Sequence, residues 1–371
     1  MARMRLKPSV LNAAKYTFTR HDQDIKLDQN EAFDDVPERV KIAVLARLRE
    51  VAWQRYPNLR AERLQELLAQ RDGWDAEGIL VSNGSNVLLQ NLLILAGIDR
   101  SLVIPEPTFS LYRQQAQMLG VEAHGVPLKP GSWELDTPAI TTALATRPAG
   151  LFVVPAPAAP TGNRIPTDAL QTVLDAASEH GWLSVVDEAY WAYDGQHALD
   201  LIRGHDDRIA LRTLSKADGL GGVRLGYAMG SPTTLTELSK VQLPFNVSIF
   251  QQVAAETALE MTESVQAREH RIEATREARD HVIAALRRMP NVTAYDSVTN
   301  FVLFKVPSAA AVYHDALKAG VVLRRQDHLP QLEGCLRMTI GTETENACAL
   351  DAIERSLVTL NDDRTPRGGA A

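Results

Sequence analysis

Apolar residues along this chain follow two rhythms, and the rhythms predict its layers. Short apolar runs at 79–81, 102–104, 151–154, 183–186 and 209–211 are separated by amphipathic stretches at 86–96, 109–119 and 168–179. Strands spaced by roughly 30 residues, with helices between them, predict a mostly parallel sheet covered on both faces. In such sheets ligands sit at the carboxyl ends of the strands. Two helical runs come earlier, one from Pro37 (Val40, Ile42, Val44, Leu45, Leu48) and one over 60–71. Residues 1–30 read as an irregular arm ending in the short apolar-alternating piece 25–28. From 247 to 289 the pattern is almost all helix, charged along one side (Arg268, Glu269, Arg271, Glu273, Arg276, Glu277), which predicts a long connecting helix with a solvated face. Beyond it, 301–306, 321–324 and 336–340 are strand-like. The expected organisation is an arm (1–30) packed with the small domain, a large α/β domain (31–250), a small α+β domain (251–360) and a disordered tail (361–371).

Composition narrows this picture modestly. With 371 residues, 45% hydrophobic and 23% charged, the chain has the make-up of an ordinary globular protein of two domains. Its net charge of −7 is spread along the sequence, which argues against a nucleic acid or an anionic membrane as partner. The two cysteines, Cys335 and Cys348, form no metal pair or disulfide framework, and both are expected to be buried and structural. The basic first residues precede no apolar stretch, and no run approaches a membrane span, so a cytoplasmic location is expected.

Three clusters carry candidate chemistry. Asp187-Glu188-Ala189-Tyr190 follows the run 183–186, and a carboxylate at the end of a buried strand needs a cationic partner or a helix to cap. Thr213-Leu214-Ser215-Lys216 follows 209–211. A lysine there is a surface residue or, with a lowered pKa, an amine nucleophile. The third cluster, Gly219 to Gly226, is glycine-rich but lacks the spacing of a dinucleotide fingerprint or a P-loop. Its Arg224 suits a phosphate.

In order and spacing, Asp187, Tyr190, Thr213, Ser215, Lys216 and Arg224 resemble the fold-type I pyridoxal-phosphate-dependent aminotransferases. The segment TLSKADGLGGVRLGY (213–227) resembles the cofactor-lysine motif of the histidinol-phosphate aminotransferase branch. The likeness extends from Leu6 to about Leu360, through KLDQNE, RYPN, SNGSN, PEPTFSLY, APTGN and CLRMTIGT. It implies a cofactor, pyridoxal 5′-phosphate, bound by Lys216 as a Schiff base. Asp187 would pair with the ring nitrogen, Tyr190 would hydrogen-bond the 3-hydroxyl oxygen, and Phe109 would stack on the ring. Thr213, Ser215, Arg224 and the backbone N–H groups of Gly84, Ser85 and Asn86 would hold the phosphate. Tyr56 matches a tyrosine that reaches the neighbouring subunit's phosphate, which implies a homodimer.

The same likeness implies substrates and marks departures. Arg337 resembles the arginine that binds the carboxylate of glutamate and 2-oxoglutarate. Arg324 matches one near the substrate phosphate, and Tyr16 a tyrosine closing over the substrate. The implied reaction converts L-histidinol phosphate and 2-oxoglutarate to imidazole-acetol phosphate and L-glutamate. An aromatic amino-acid aminotransferase, an O-phosphothreonine-type decarboxylase and a non-catalytic cofactor-binding module are the alternatives. Three positions depart from the branch. Ala159 stands where the family has an asparagine bonding the 3-hydroxyl oxygen, so altered cofactor affinity is expected. Arg325 replaces a usual aspartate, either adding to an anion site or facing solvent. NEAFDDVP (30–37) differs from the usual pattern at the pocket mouth.

Overall fold

The computed structural model describes residues 7–13 and 21–364. Its centre is a seven-stranded sheet in the order Ile79–Ser82, Gly226–Met229, Arg208–Thr213, Leu183–Asp187, Leu151–Pro155, Ser101–Glu106, Glu122–Pro127. Gly226–Met229 runs antiparallel to both of its neighbours and the other pairs are parallel, so the sheet is mostly parallel, as expected.

Strand alternation explains why both faces are covered. Val103, Phe152, Val154, Val186 and Ala210 point into one core, while Leu102, Ile104, Val153, Val185 and Ile209 point into a second core on the opposite face. All ten side chains are fully buried, each contributing about 1.5–3 kcal/mol for the larger ones. The edge strand Glu122–Pro127 escaped the hydrophobic pattern because it is only partly buried and carries Gly125 and Pro127. Such residues are tolerated where one side of a strand has no partner. The helix Thr137–Thr146 escaped it too, its apolar stripe diluted by threonines. Its N-terminus is marked by Asp136, whose carboxylate accepts from the Ala139 N–H at 3.1 Å.

The C-terminal part builds its own core around Val282, Leu286, Val302, Phe304, Val312, Leu336, Met338 and Ile353. There an antiparallel sheet runs Arg324–Arg325, Cys335–Thr339, Phe301–Lys305, Thr293–Ala294. The arm contributes Ile25–Lys26, which pairs in parallel with Val321–Val322. The strand expected over 321–324 is therefore two short strands on different partners, with Leu323 buried at the bend.

Other expectations need correction. The single long helix expected over 247–289 is two, Ile249–Glu260 and Thr262–Arg288, divided where Met261 takes an extended conformation (ψ 126°). The halves serve different cores: Ala255 and Ala258 pack with the large sheet, and Val282, Ile283 and Leu286 with the small one. The second helix is not merely solvated, since Arg271, Ile272, Thr275 and Arg279 are buried. The last helix, Glu343–Arg364, continues into the segment expected to be disordered. Of the cysteines, Cys335 is buried but Cys348 is exposed. Among the described residues no helix is long and apolar enough to cross a membrane.

Candidate active site

A cavity of about 490 Å³ opens at the carboxyl ends of the central strands and is closed on its far side by the small sheet. Strand ends deliver Pro155, Asp187 and Thr213 to it, and the small sheet delivers Arg324 and Arg337.

Asp187 ends its strand with a deeply placed carboxylate. Oδ2 accepts from the Tyr112 hydroxyl at 2.6 Å and Oδ1 from the Ala189 N–H at 3.1 Å. Burial raises its pKa, and the bonds from Tyr112 and Ala189 oppose that rise. No cation contacts it among the described residues, so a protonated ring nitrogen is the kind of partner it lacks. Tyr112 was not singled out in the sequence. It lies in the first turn of the helix Ser110–Leu119, three residues after Phe109, and is fully buried.

Lys216 lies on the loop after Arg208–Thr213, its Nζ donating to the Gln29 carbonyl at 2.9 Å. Burial first, then repulsion from Arg337, lowers its pKa to about 8, with Glu31 opposing and Arg224 adding to the drop. Such an amine has a far larger neutral, nucleophilic fraction near physiological pH than an ordinary lysine.

Tyr190 projects beside Lys216 and meets Phe301 edge-on at 5.1 Å. Its hydroxyl accepts from Asn30 Nδ2 at 2.8 Å. Burial pushes the phenol's pKa up, and Arg337 and the Asn30 bond pull it back. Phe109 lines the cavity and packs edge-on against Tyr112 at 5.6 Å. Ala159 presents only a methyl group to the same space.

The opposite end is an anion cradle. Thr213 Oγ1 lies 3.0 Å from Ser215 Oγ and 3.1 Å from the Ser215 N–H that donates to it. Arg224 Nη1 reaches Ser215 Oγ at 3.3 Å and the Gly221 carbonyl at 3.0 Å. Arg224 itself is in the left-handed region (φ 61°), a strained conformation for a residue with a side chain. The helix Ser85–Ala96 begins here, and its first amides, Ser85 and Asn86, have no intrahelical acceptor by position. Gly84 does not act as expected, because its N–H already donates to the Ser82 carbonyl at 2.7 Å. It is needed for shape instead: φ is 83°, and a Cβ would sit 3.0 Å from Arg224 Nη2. Gly226 is needed for proximity, since a Cβ there would lie 2.2 Å from the Ser85 nitrogen. A buried carboxylate, an aromatic face, a lysine and an anion cradle fit a planar aromatic ring bearing a phosphate, as pyridoxal phosphate does.

The substrate side is looser. Arg324 lines the cavity and makes no hydrogen bond or ion pair among the described residues, although Asp28 lies within its field. Arg337 Nη2 donates to the Asp28 carbonyl at 2.8 Å and lies 5.1 Å from the Phe301 ring. Arg325 resolves to the solvent-side alternative, paired with Asp327 at 2.7 Å away from the cavity. Tyr56 does not line its own chain's cavity. It is 82% exposed and stacks on Phe245 at 4.7 Å. Tyr16 lies outside the described residues. The divergent stretch after Asn30 is pinned by Arg271, which pairs with Asp34 and donates to the Ala217 carbonyl at 2.8 Å, so that the loop rests on the residue next to Lys216.

Comparison with known proteins agrees with this geometry. The sequence profile of the family "Aminotransferase class I and II" matches residues 22–353. A histidinol-phosphate aminotransferase of Deinococcus radiodurans is 40% identical over 94% of this chain and 95% of its own length. Histidinol-phosphate aminotransferase 2 of Nitrosococcus oceani is 36% identical over 94% and 96%. The solved structure of the Sinorhizobium meliloti histidinol-phosphate aminotransferase in complex with pyridoxal 5′-phosphate shares the fold, with a TM-score of 0.85 at 20% identity over 97% of this chain and 99% of that one. The chain therefore belongs to the class I and II aminotransferases, as a pyridoxal-phosphate-dependent enzyme of fold type I related to the histidinol-phosphate aminotransferases.

Proposed function

We propose that the chain transfers the amino group of L-histidinol phosphate to 2-oxoglutarate, yielding imidazole-acetol phosphate and L-glutamate. The observation that carries this reading is Arg324, whose guanidinium lines the cavity with no bonded partner among the described residues, directly opposite Arg337 in the antiparallel register of the small sheet. Two arginines on one wall suit a donor phosphate and an acceptor carboxylate by turns, because the guanidinium fork binds either.

Bound in the cavity, pyridoxal phosphate supplies an electron sink for the charge left when the donor's α-proton is removed. Asp187 holds the ring nitrogen protonated, and Tyr112 keeps that carboxylate aimed. Tyr190 donates to the ring's 3-oxygen and Phe109 covers one face. Thr213, Ser215, Arg224 and the amides of Ser85 and Asn86 grip the phosphate, with Gly84 shaping the turn. Lys216 holds the cofactor between cycles. Freed when a substrate amine binds, its Nζ would serve as the base that takes the substrate α-proton and as the acid that gives it back. Arg337 and Arg324 orient the two substrates.

The active form on this reading is a homodimer. Tyr56, Trp53 and Leu243 are largely exposed, an apolar set that a second copy would cover while Tyr56 reaches the partner's phosphate cradle. The division into arm, large domain and small domain is read in the same way, with the cavity between the last two. The expected boundary at 250/251, however, falls inside the helix Ile249–Glu260, whose Ala255 and Ala258 pack with the large sheet, so the large domain extends to the end of that helix.

A single-turnover titration tests the reaction. Purified enzyme with cofactor is mixed with L-histidinol phosphate and no keto acid, and conversion to the pyridoxamine form is followed by absorbance. Conversion far faster than with phenylalanine or phosphothreonine is expected. A faster response to phenylalanine reassigns the enzyme to aromatic substrates, and carbon dioxide release from phosphothreonine to decarboxylation.

A further inference from the structure

We infer that Asn30 replaces, from a different element, the amide that Ala159 lacks: it orients the Tyr190 hydroxyl so that one residue supplies the hydrogen bond usually shared by two. The inference rests on the cofactor reading given above.

Ala159 and Asn30 border the same cavity, one from the turn after Leu151–Pro155 and the other from the arm. Ala159 has no donor. Asn30 has one, and its orientation is settled by its surroundings. The Asn30 backbone N–H donates to Thr339 Oγ1 at 2.9 Å, and the Thr339 hydroxyl donates to Asn30 Oδ1 at 3.2 Å. That fixes the amide oxygen on the Thr339 side and the amide nitrogen on Tyr190 Oη, 2.8 Å away. The Asn30 carbonyl accepts from Asn300 Nδ2 at 3.0 Å, and its backbone is left-handed (φ 54°), a conformation asparagine tolerates better than most residues. The side chain is therefore immobilised and 1% exposed.

The consequence for Tyr190 is directional. Its oxygen already receives a hydrogen from Asn30, and its own hydrogen has no acceptor among the described residues. The hydroxyl is thus left to donate into the cavity. A phenol that accepts from an amide is also the better donor, because hydrogen bonds in series polarise one another. Asn30 does not itself have to touch the cofactor, so it is a positioning residue, and its effect is read through the bound cofactor's 3-oxygen.

The test is a double-mutant cycle on the holoenzyme and its apoprotein: wild type, Asn30→Ala, Ala159→Asn and the pair. Two quantities are measured, the dissociation constant of pyridoxal phosphate from the apoprotein and the pH midpoint of the visible absorbance change of the bound cofactor. Asn30→Ala is expected to weaken binding about three- to tenfold. It should also raise the pH midpoint by roughly half to one unit, because less hydrogen bonding leaves more negative charge on the 3-oxygen beside the lysine-linked nitrogen, which keeps its proton longer. With asparagine at 159 the same substitution should change binding less than about twofold, since the ring oxygen then has its own amide donor. Asn30→Asp, of equal size, presents an acceptor to Tyr190, draws the phenol hydrogen out of the cavity, and should move the midpoint further in the same direction. An Asn30→Ala effect equally large in both backgrounds, or an Asn30→Asp midpoint equal to wild type, overturns the inference alone. A wild-type protein that forms no visible band with pyridoxal phosphate overturns the cofactor reading and takes this inference with it.

Discussion

The two walls of the cavity are built differently. On the large-sheet side the side chains are held in place before anything binds, Asp187 by Tyr112 and Ala189, Ser215 by Thr213, and Arg224 by Ser215 and Gly221. The groups left open there, the Ser85 and Asn86 amides and the Tyr190 hydrogen, sit in fixed positions. On the small-sheet side Arg324 has no bonded partner among the described residues, and the neighbouring His328 has its pKa held down by desolvation and by Arg324. A preformed set of bonds suits a ligand that stays and is always the same, because little has to reorganise when it is bound. A cation left open suits a ligand that changes every half-reaction. The difference separates cofactor binding from substrate binding within a single cavity.

That contrast can be broken in several places. The largest effect is expected at Lys216, where the walls meet. Lys216→Ala should reduce single-turnover conversion by about a hundred- to ten-thousandfold while pyridoxal phosphate still binds, measured by rapid-mixing absorbance and equilibrium dialysis. On the substrate wall, Arg324→Gln should raise KM for the phosphorylated amine roughly tenfold to a hundredfold and leave cofactor affinity unchanged. A matching loss of cofactor affinity would show that the walls are not separable. On the cofactor wall, Tyr112→Phe removes a bond that favours the charged form of Asp187, and a several-fold weaker grip on pyridoxal phosphate is expected, with KM for the amine unchanged. The smallest effect is one of pH. With its pKa near 8, Lys216 is protonated below that value and neutral above it. Capture of pyridoxal phosphate by the apoprotein, trapped with borohydride, should therefore accelerate up to about pH 8 and level off. A rate still climbing past pH 9 would mean that Lys216 titrates like an exposed lysine.

Legibility in the sequence followed the same division. The central strands announced themselves because they are buried on both faces, and their apolar runs are unbroken. Lys216, Asp187 and Tyr190 stand out because each lies just past such a run, although position alone leaves a surface lysine and a helix cap open and the family resemblance supplies their roles. Tyr112 was missed because a buried tyrosine in the first turn of an amphipathic helix has the pattern of ordinary packing, and only the tertiary fold brings it to Asp187. Asn30 was hidden for a related reason: it lies 160 positions from Tyr190, in an arm without periodicity. The break at Met261 left no trace either, with neither glycine nor proline at that point, since it arises from two helices being drawn to two different cores. Gly84 was recognised as part of the cradle but for the wrong atom, a distinction that local geometry alone decides.

Gly226 has a bearing on how this molecule can vary over descent. Its strand lies so close to the start of the helix Ser85–Ala96 that the smallest side chain would collide with backbone rather than with a neighbour able to swing aside. A lost side-chain donor can be restored from another part of a protein, but no second change elsewhere can remove an atom from this gap. Lineages carrying this cradle are therefore free to exchange many of the groups that touch the ligand, while this position, which only backs the cradle's backbone, stays closed to substitution.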